Sequence, residues 1–169
     1  LDANDAATAA QKELLAQQAA GQYVALPSYR VGPYAAGGSG FYGGIIDYFN
    51  LVNQAGGVNG VKISWEECET EYNPSRGVEC YERLKGKGAA FFHPFSTGVT
   101  FALTEKTTTD KIPLMTVGYG RADSQNGAVF QWNFPLMGTY WSSGDVAIQH
   151  IAKKEGGLDK LKGKKITLV

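Results

Sequence analysis

The feature that most constrains this chain is an alternation of strand-like and helix-like segments along most of its length. In GVKISWEEC, Val61, Ile63 and Trp65 alternate with other residues, as in a strand, whereas Ile45, Tyr48, Phe49 and Val52 recur at helical spacing. Strands are predicted in QYVAL (ended by Pro27), GVKISWEEC, AAFFH, KIPLMTV, AVFQWNF and KKITLV. This order predicts an α/β fold, with a parallel sheet covered by helices on both faces.

Helix-start signals support the same reading. Asn73 is expected to cap a helix whose first residue is Pro74, and Ser96 or Thr97 is expected to cap the next one. The segment MGTYWSSGDVAIQHIAKKEG predicts a further amphipathic helix. Ala, Gln, Lys and Leu dominate the start of the chain, so we predict an N-terminal helical extension over residues 1–21.

The amino-acid composition argues against several classes of function. The formal net charge is zero, so no global field favours nucleic acid, and no apolar run approaches the roughly 20 residues that span a bilayer. No secretion signal is recognisable, and we expect any such signal to have been removed. With only two histidines and two cysteines in the sequence, we expect no structural zinc site. No phosphate-binding loop occurs, and we expect neither a metal nor a cofactor.

In parallel α/β sheets, ligands bind outside the carboxyl ends of the strands. The loops at those ends are predicted at residues 27–40, 68–73, 93–98 and 117–127, and they are rich in Gly, Ser, Thr and Tyr. We therefore expect the binding site to be built from these four loops.

Ser96 and Thr97 are the first candidates within those loops. The start of a helix offers free N–H groups and partial positive charge, so a carboxylate can bind there without a formal cation. The alternative is that either hydroxyl only caps its own helix, although a hydroxyl can do both. His93 lies three residues before Ser96, but without a G-x-S-x-G elbow we expect no catalytic residue.

Aromatic side chains supply candidate pocket walls, because they combine apolar area with a polar tip. Tyr29, Phe95 and Tyr119 have the best loop positions. The wider set is Tyr29, Tyr34, Phe41, Tyr42, Phe95, Tyr119 and Trp132. For each of them, packing in the core is the alternative. Arg30 and Arg121 either pair with an anionic ligand or serve the framework. The acidic cluster of Glu66, Glu67, Glu69 and Glu71 is expected to be a solvated edge.

Cys68 and Cys80 are the only cysteines, 12 positions apart. Cys68 ends the second predicted strand and Cys80 lies in the following helix, so one disulfide can staple the intervening loop. Such a bond indicates an oxidising compartment. Two free buried thiols are the alternative.

An ordered set of segments resembles periplasmic substrate-binding proteins of the branched-chain amino acid ABC transporter type. The set comprises GPYAAGGSGFYGGIIDYFNLVNQAGGVNG, NPSRGV, PFSTGVTFA, KIPLMTVGYG and KKITLV. The resemblance implies a Rossmann-like lobe over residues 22–163, with residues 164–169 as the first strand of a second lobe. It also implies that the chain is part of a longer polypeptide, or is complemented by another chain.

The resemblance further implies a solute-binding protein of the periplasm that works with an ABC permease in the membrane. Ser96 matches the serine that holds the ligand's carboxylate, and Gly118 matches a backbone carbonyl that holds the ammonium. Gly120 and Gly37 replace a threonine and an aromatic residue of the branched-chain pattern. These losses suggest a reshaped pocket for a small amino acid-like or aromatic carboxylate. A bilobal sensor and a small flavodoxin-like α/β enzyme are the alternatives.

Overall fold

The computed structural model describes residues 21–117, 119 and 121–167. The predicted extension over residues 1–21 and the candidate Gly118 therefore lie outside the described residues, apart from Gly21. The strands are β1 (Gln22–Ser28), β2 (Ile63–Glu69), β3 (Leu114–Thr116) and β4 (Asn133–Pro135). The helices are α1 (Ala35–Gln54), α2 (Pro74–Leu84), α3 (Thr97–Asp110) and α4 (Tyr140–Glu155). Short 3₁₀ segments cover Lys85–Lys87, Ala122–Gln125 and Leu158–Leu161.

All described strand pairs are parallel: β1 pairs with β2, and β3 pairs with β4. The predicted AAFFH strand is reduced to a single parallel bridge between Phe92 and Leu114. The α/β class and the parallel sheet are thus confirmed. AVFQWNF forms a strand only from Asn133, because residues 128–132 make turns.

The sequence predicts that the first strand ends at Pro27, but β1 continues through Pro27 to Ser28. Gln22 donates its N–H to Lys62, and Ser28 accepts one from Thr70, so the even-numbered residues of β1 bond to β2. Pro27 is odd-numbered, and the N–H that it lacks points away from this ladder. Proline is therefore compatible with the strand here.

Helices cover both faces of the β1–β2 pair. Trp65 of β2 contacts Phe49 of α1, with ring centroids 5.6 Å apart, whereas Cys68 faces α2. Residues three apart in a strand point to opposite faces, so α1 and α2 lie on opposite sides. The buried core lies between the strands, α2 and α3, and comprises Ala25, Cys68, Cys80, Tyr81, Leu84, Phe92, Val99, Leu103 and Leu114.

α4 is the least packed helix. Trp141 is 79% exposed and Val146 is 66% exposed, and Ala152 is its one buried residue. The sequence predicts an amphipathic helix here, but the apolar side of α4 is not buried against any of the described residues. Residues 164–167 are irregular, so the strand predicted in KKITLV is not formed there, and its last two residues lie outside the described part. None of the described helices has the length and hydropathy needed to cross a membrane.

Candidate functional site

Ser96 begins the site at the N-terminus of α3. Its side chain is 1% exposed, and its Oγ accepts a hydrogen bond from the Val99 N–H at 3.4 Å. The hydroxyl hydrogen remains available for donation, because the cap uses Oγ only as an acceptor. The Thr97 Oγ1 lies 3.1 Å from the Tyr140 hydroxyl. Both predicted hydroxyls thus lie at the start of a helix directly after the Phe92 bridge.

Phe95 adopts a left-handed backbone, with φ of 50°. This conformation is strained for a bulky residue and is found mainly where the surroundings impose it, often at functional sites. Its ring stacks on His93 at 3.7 Å and meets Phe41 edge-on at 4.8 Å. The loop before α3 therefore holds an aromatic face next to the Ser96 hydroxyl.

Tyr29 continues this aromatic surface at the end of β1. Its ring makes edge contacts with Tyr42 at 5.1 Å and with Tyr72 at 5.0 Å, and Tyr72 packs on Tyr34 at 4.2 Å. Tyr72 reaches this position through two consecutive left-handed residues, Glu71 and Tyr72, which turn the chain sharply after β2. Aromatic rings from α1 and from the ends of β1 and β2 therefore form one surface.

Gly38 allows α1 to approach Tyr29 this closely. A Cβ at Gly38 would lie 2.0 Å from the Tyr29 carbonyl oxygen and 2.7 Å from its Cδ2. Residues 35–40, predicted as part of a loop, form the first turns of α1 instead. Gly38 is therefore needed for the close packing of α1 against Tyr29, and the glycines of this segment do not form the turn predicted for it.

Several tyrosine hydroxyls gather beside this surface. The Tyr119 hydroxyl is buried and has no hydrogen-bond partner among the described residues, whereas the buried Tyr42 hydroxyl interacts with that of Tyr29. Burial raises the pKa of both phenols, and for Tyr119 the nearby Tyr29, Tyr72 and Tyr140 raise it further. Buried polar groups are normally paired, so the Tyr119 hydroxyl marks a place where a partner is expected.

Arg30 belongs to the framework rather than to the ligand set. Its guanidinium pairs with Glu67 and donates to the Ser39 carbonyl at 3.0 Å, while its N–H donates to Glu69 at 2.7 Å. Glu69 also accepts from the Glu71 N–H at 2.7 Å. Glu67 and Glu69 therefore join the ends of β1 and β2 instead of lying free in solvent. Glu66 and Glu71 form partly exposed ion pairs with Lys87 and Arg76, which fits the solvated edge predicted for them.

Arg121 is engaged in the same way. It pairs with Asp123 at 2.6 Å and with Glu105 at 3.4 Å, and its guanidinium lies 5.1 Å from the Phe130 ring centroid. Both candidate arginines thus neutralise acids of their own framework.

Cys68 and Cys80 form a disulfide that ties the end of β2 to α2. Both residues are buried, at 6% and 3% exposure. The Thr70 side chain and N–H both donate to the Ser28 carbonyl, at 2.8 and 2.7 Å, two residues before Tyr72. The bond and these contacts hold the loop that carries Tyr72.

The structure brings the described candidates together. Phe95, Ser96 and Thr97 are consecutive at the start of α3. Tyr29 lies on the aromatic surface, and Tyr119 lies near Tyr29 and Tyr140. Sequence reasoning missed Tyr72, Tyr140 and Gly38. Tyr72 could have been proposed from the sequence, because it lies in the predicted strand-end loop of residues 68–73. The role of Gly38 depends on a contact with β1 that no local pattern shows.

Comparison with known proteins adds independent information. A structure from the Pseudomonas fluorescens group, described as an ABC transporter permease, is 48% identical to this chain, with a TM-score of 0.74. The match covers 85% of this chain and 36% of that structure. A fatty acid ABC transporter substrate-binding protein from Thermomonospora curvata is 20% identical, with a TM-score of 0.66, over 79% of this chain and 33% of that one.

A third structure is the branched-chain amino acid transporter substrate-binding protein of Streptococcus pneumoniae in complex with isoleucine. It is 18% identical, with a TM-score of 0.63, over 80% of this chain and 39% of that one. The chain thus spans little more than a third of the length of such structures, and the two distant ones show the fold alone. A search of curated proteins gives no match. The model of the periplasmic binding protein family matches residues 21–169, and the chain therefore belongs to that family.

Proposed function

We propose that this chain is the solute-binding component of an ABC importer and binds a small amino acid-like or aromatic carboxylate. The observation that carries the proposal is the N-terminus of α3, where the buried Ser96 has a hydroxyl hydrogen to donate. The amides of Thr97 and Gly98 have no acceptor among the described residues. Free amides, a hydroxyl and the helix dipole together favour one carboxylate.

A second lobe completes the site in this proposal, supplied by the same polypeptide or by a complementing chain. The exposure of α4 supports it. Tyr140, Trp141 and Ile148 border an open groove of about 510 Å³ on one side of that helix, and Val146 lies exposed on another. An apolar helix surface of this kind is typical of a contact region. Residues 22–163 then form the first lobe, with α4 at its boundary, and residues 164–169 begin the second.

The proposed partner in the membrane is an ABC permease, and the proposed location is the periplasm, where the Cys68–Cys80 disulfide is stable. The solute-binding family supports both statements. Closure of two lobes over a solute is the conformational change expected for such a carrier.

Substitutions at Ser96 test the proposal, after native mass spectrometry of the purified protein has identified a retained carboxylate. Ser96→Ala is expected to weaken its binding by about 1–3 kcal/mol, because a hydrogen bond to a charged group is lost. Ser96→Asp is the matched control for capping, because aspartate caps helices as well as serine does.

If Ser96 only caps α3, the Asp variant will bind like the wild type. If Ser96 contacts a carboxylate, the added negative charge will abolish binding in a variant that remains folded, although the buried carboxylate will lower its thermal stability. Unchanged dissociation constants in both variants would remove α3 from the site.

A further inference from the structure

One hydrogen-bond contact among the described residues joins α4 to the remainder of the lobe. The hydroxyl of Tyr140, the first residue of α4, lies 3.1 Å from the Oγ1 of Thr97, the first residue of α3. The other hydrogen bonds of α4 within the described ranges are made inside the helix or with its immediate neighbours in the chain. The starts of the two helices therefore meet at one pair of hydroxyls.

The rest of α4 is held loosely. The backbone before it last bonds to the sheet at Leu136, whose N–H donates to the Thr116 carbonyl at 2.7 Å, and the helix begins only at Tyr140. The helix packs chiefly against the segment Leu158–Leu161, which follows it in the chain. Its position relative to α3 therefore depends on a short connection and on the Tyr140 hydroxyl.

The direction of this hydrogen bond is open in the protein alone, since either hydroxyl can donate. A hydroxyl carries one hydrogen. Once Thr97 donates its hydrogen to a carboxylate at the start of α3, its oxygen can only accept, and Tyr140 must be the donor. Hydrogen bonds linked in this way strengthen one another, by about 10–30% per bond. Carboxylate binding and the Tyr140–Thr97 bond therefore favour each other, and the coupling is reciprocal.

From this contact we propose that Tyr140 is a positioning residue of the solute site. Its hydroxyl holds the start of α4 against α3 when a carboxylate is bound at Thr97, and holds it less firmly when the site is empty. The inference rests on the proposed function and adds regulation to it. Because α4 carries the exposed apolar groove at Trp141 and Ile148, the position of this surface then depends on whether solute is bound.

Amide hydrogen exchange of the whole chain without solute tests the contact itself. Tyr140→Phe removes only the hydroxyl, and exchange in the first turns of α4 should become about two- to tenfold faster, the range for one lost hydrogen bond. Tyr48→Phe is the matched control, because Tyr48 is 64% exposed on α1 and lies far along the chain from α4. Equal exchange rates of α4 in the two variants would overturn the positioning role.

Fluorine NMR of the chain labelled with 5-fluorotryptophan tests the coupling. The signal of Trp141, which is next to Tyr140 and 79% exposed, is assigned with Trp141→Phe. L-leucine, L-phenylalanine and benzoate are the carboxylate probes, and L-leucinamide and benzamide are counterparts without the carboxylate. In the wild type, an acid that binds should shift the Trp141 signal, and its amide should not. In Tyr140→Phe, the same acid should bind about two- to tenfold more weakly, and the Trp141 signal should keep its solute-free position at saturation.

The possible failures are distinguishable. A wild-type shift in saturated Tyr140→Phe would overturn the coupling, as would calorimetric binding of a probe to the wild type without a shift of the Trp141 signal. The proposed function stands in both cases. If none of the probes binds, a carboxylate retained in the native mass spectrum takes their place. If none is retained either, the proposed function and the coupling are both overturned, and hydrogen exchange alone still decides whether Tyr140 holds α4.

Discussion

Gly37 and Gly38 are consecutive glycines in the first turn of α1 with opposite surroundings. A Cβ on Gly38 would lie 2.0 Å from the Tyr29 carbonyl oxygen, whereas a Cβ on Gly37 would meet no atom within 4 Å. In Gly38→Ala, α1 and Tyr29 must separate by about 1 Å to reach even 3.0 Å. Overpacking of this kind costs about 1–3 kcal/mol, while Gly37→Ala should gain up to about 1 kcal/mol from helix propensity.

The two variants are therefore expected to differ by about 1–4 kcal/mol in free energy of unfolding. Urea titration followed by tryptophan fluorescence measures this difference, using the three tryptophans of the chain. Gly38→Ala should also weaken solute binding, since Tyr29 belongs to the aromatic surface. Stabilities within 0.5 kcal/mol of each other, roughly the scatter of surface substitutions, would show that the close contact does not exist.

Three other predictions follow from local features. Replacing Cys68 and Cys80 with alanine opens a loop with a sequence separation of 12 and should lower the unfolding free energy by about 3 kcal/mol relative to the oxidised wild type. Reduction of the wild type should have a similar effect, and an alanine variant as stable as the oxidised wild type would contradict a closed bond. Asn73→Ala removes a side chain that accepts from two N–H groups of α2 and should cost about 0.5–2 kcal/mol in the same titration. Burial lowers the pKa of His93 to about 4 from its ordinary 6.5, so the unfolded state binds the extra proton and stability should fall by about 2 kcal/mol as the pH drops from 6.5 to 4. A His93→Gln variant should lack this dependence and His150→Gln should keep it; identical pH profiles for the two would disprove it.

Local chemistry in the sequence was sufficient for the class of the fold and for the helix starts. Asn73 before Pro74, and Ser96 before an apolar run, predict caps that the structure contains, because capping needs only neighbouring residues. The alternation of Trp65 with its neighbours likewise predicts β2. Pro27 was misread, because its tolerance depends on which side of β1 carries the ladder.

The candidate site divides in the same way. Ser96, Thr97, Phe95, Tyr29 and Tyr119 were predicted from their places after strands. The sequence also raised Arg30 as a possible ligand group, but Arg30 is paired with Glu67, 37 residues along the chain. Such a pair depends on how β1 and β2 lie side by side, which composition and spacing do not reveal.

The sequence by itself therefore determined an α/β lobe with parallel strands, the starts of its helices, and the strand-end loops that carry its polar and aromatic groups. These follow from residue preferences that act over a few positions. Only the tertiary structure decided that the rings of Tyr34, Tyr72, Tyr29 and Phe95 join into one surface and that the nearby acids are already bonded. Those facts depend on contacts between residues distant in the chain, made possible by close approaches such as that of Gly38 to Tyr29.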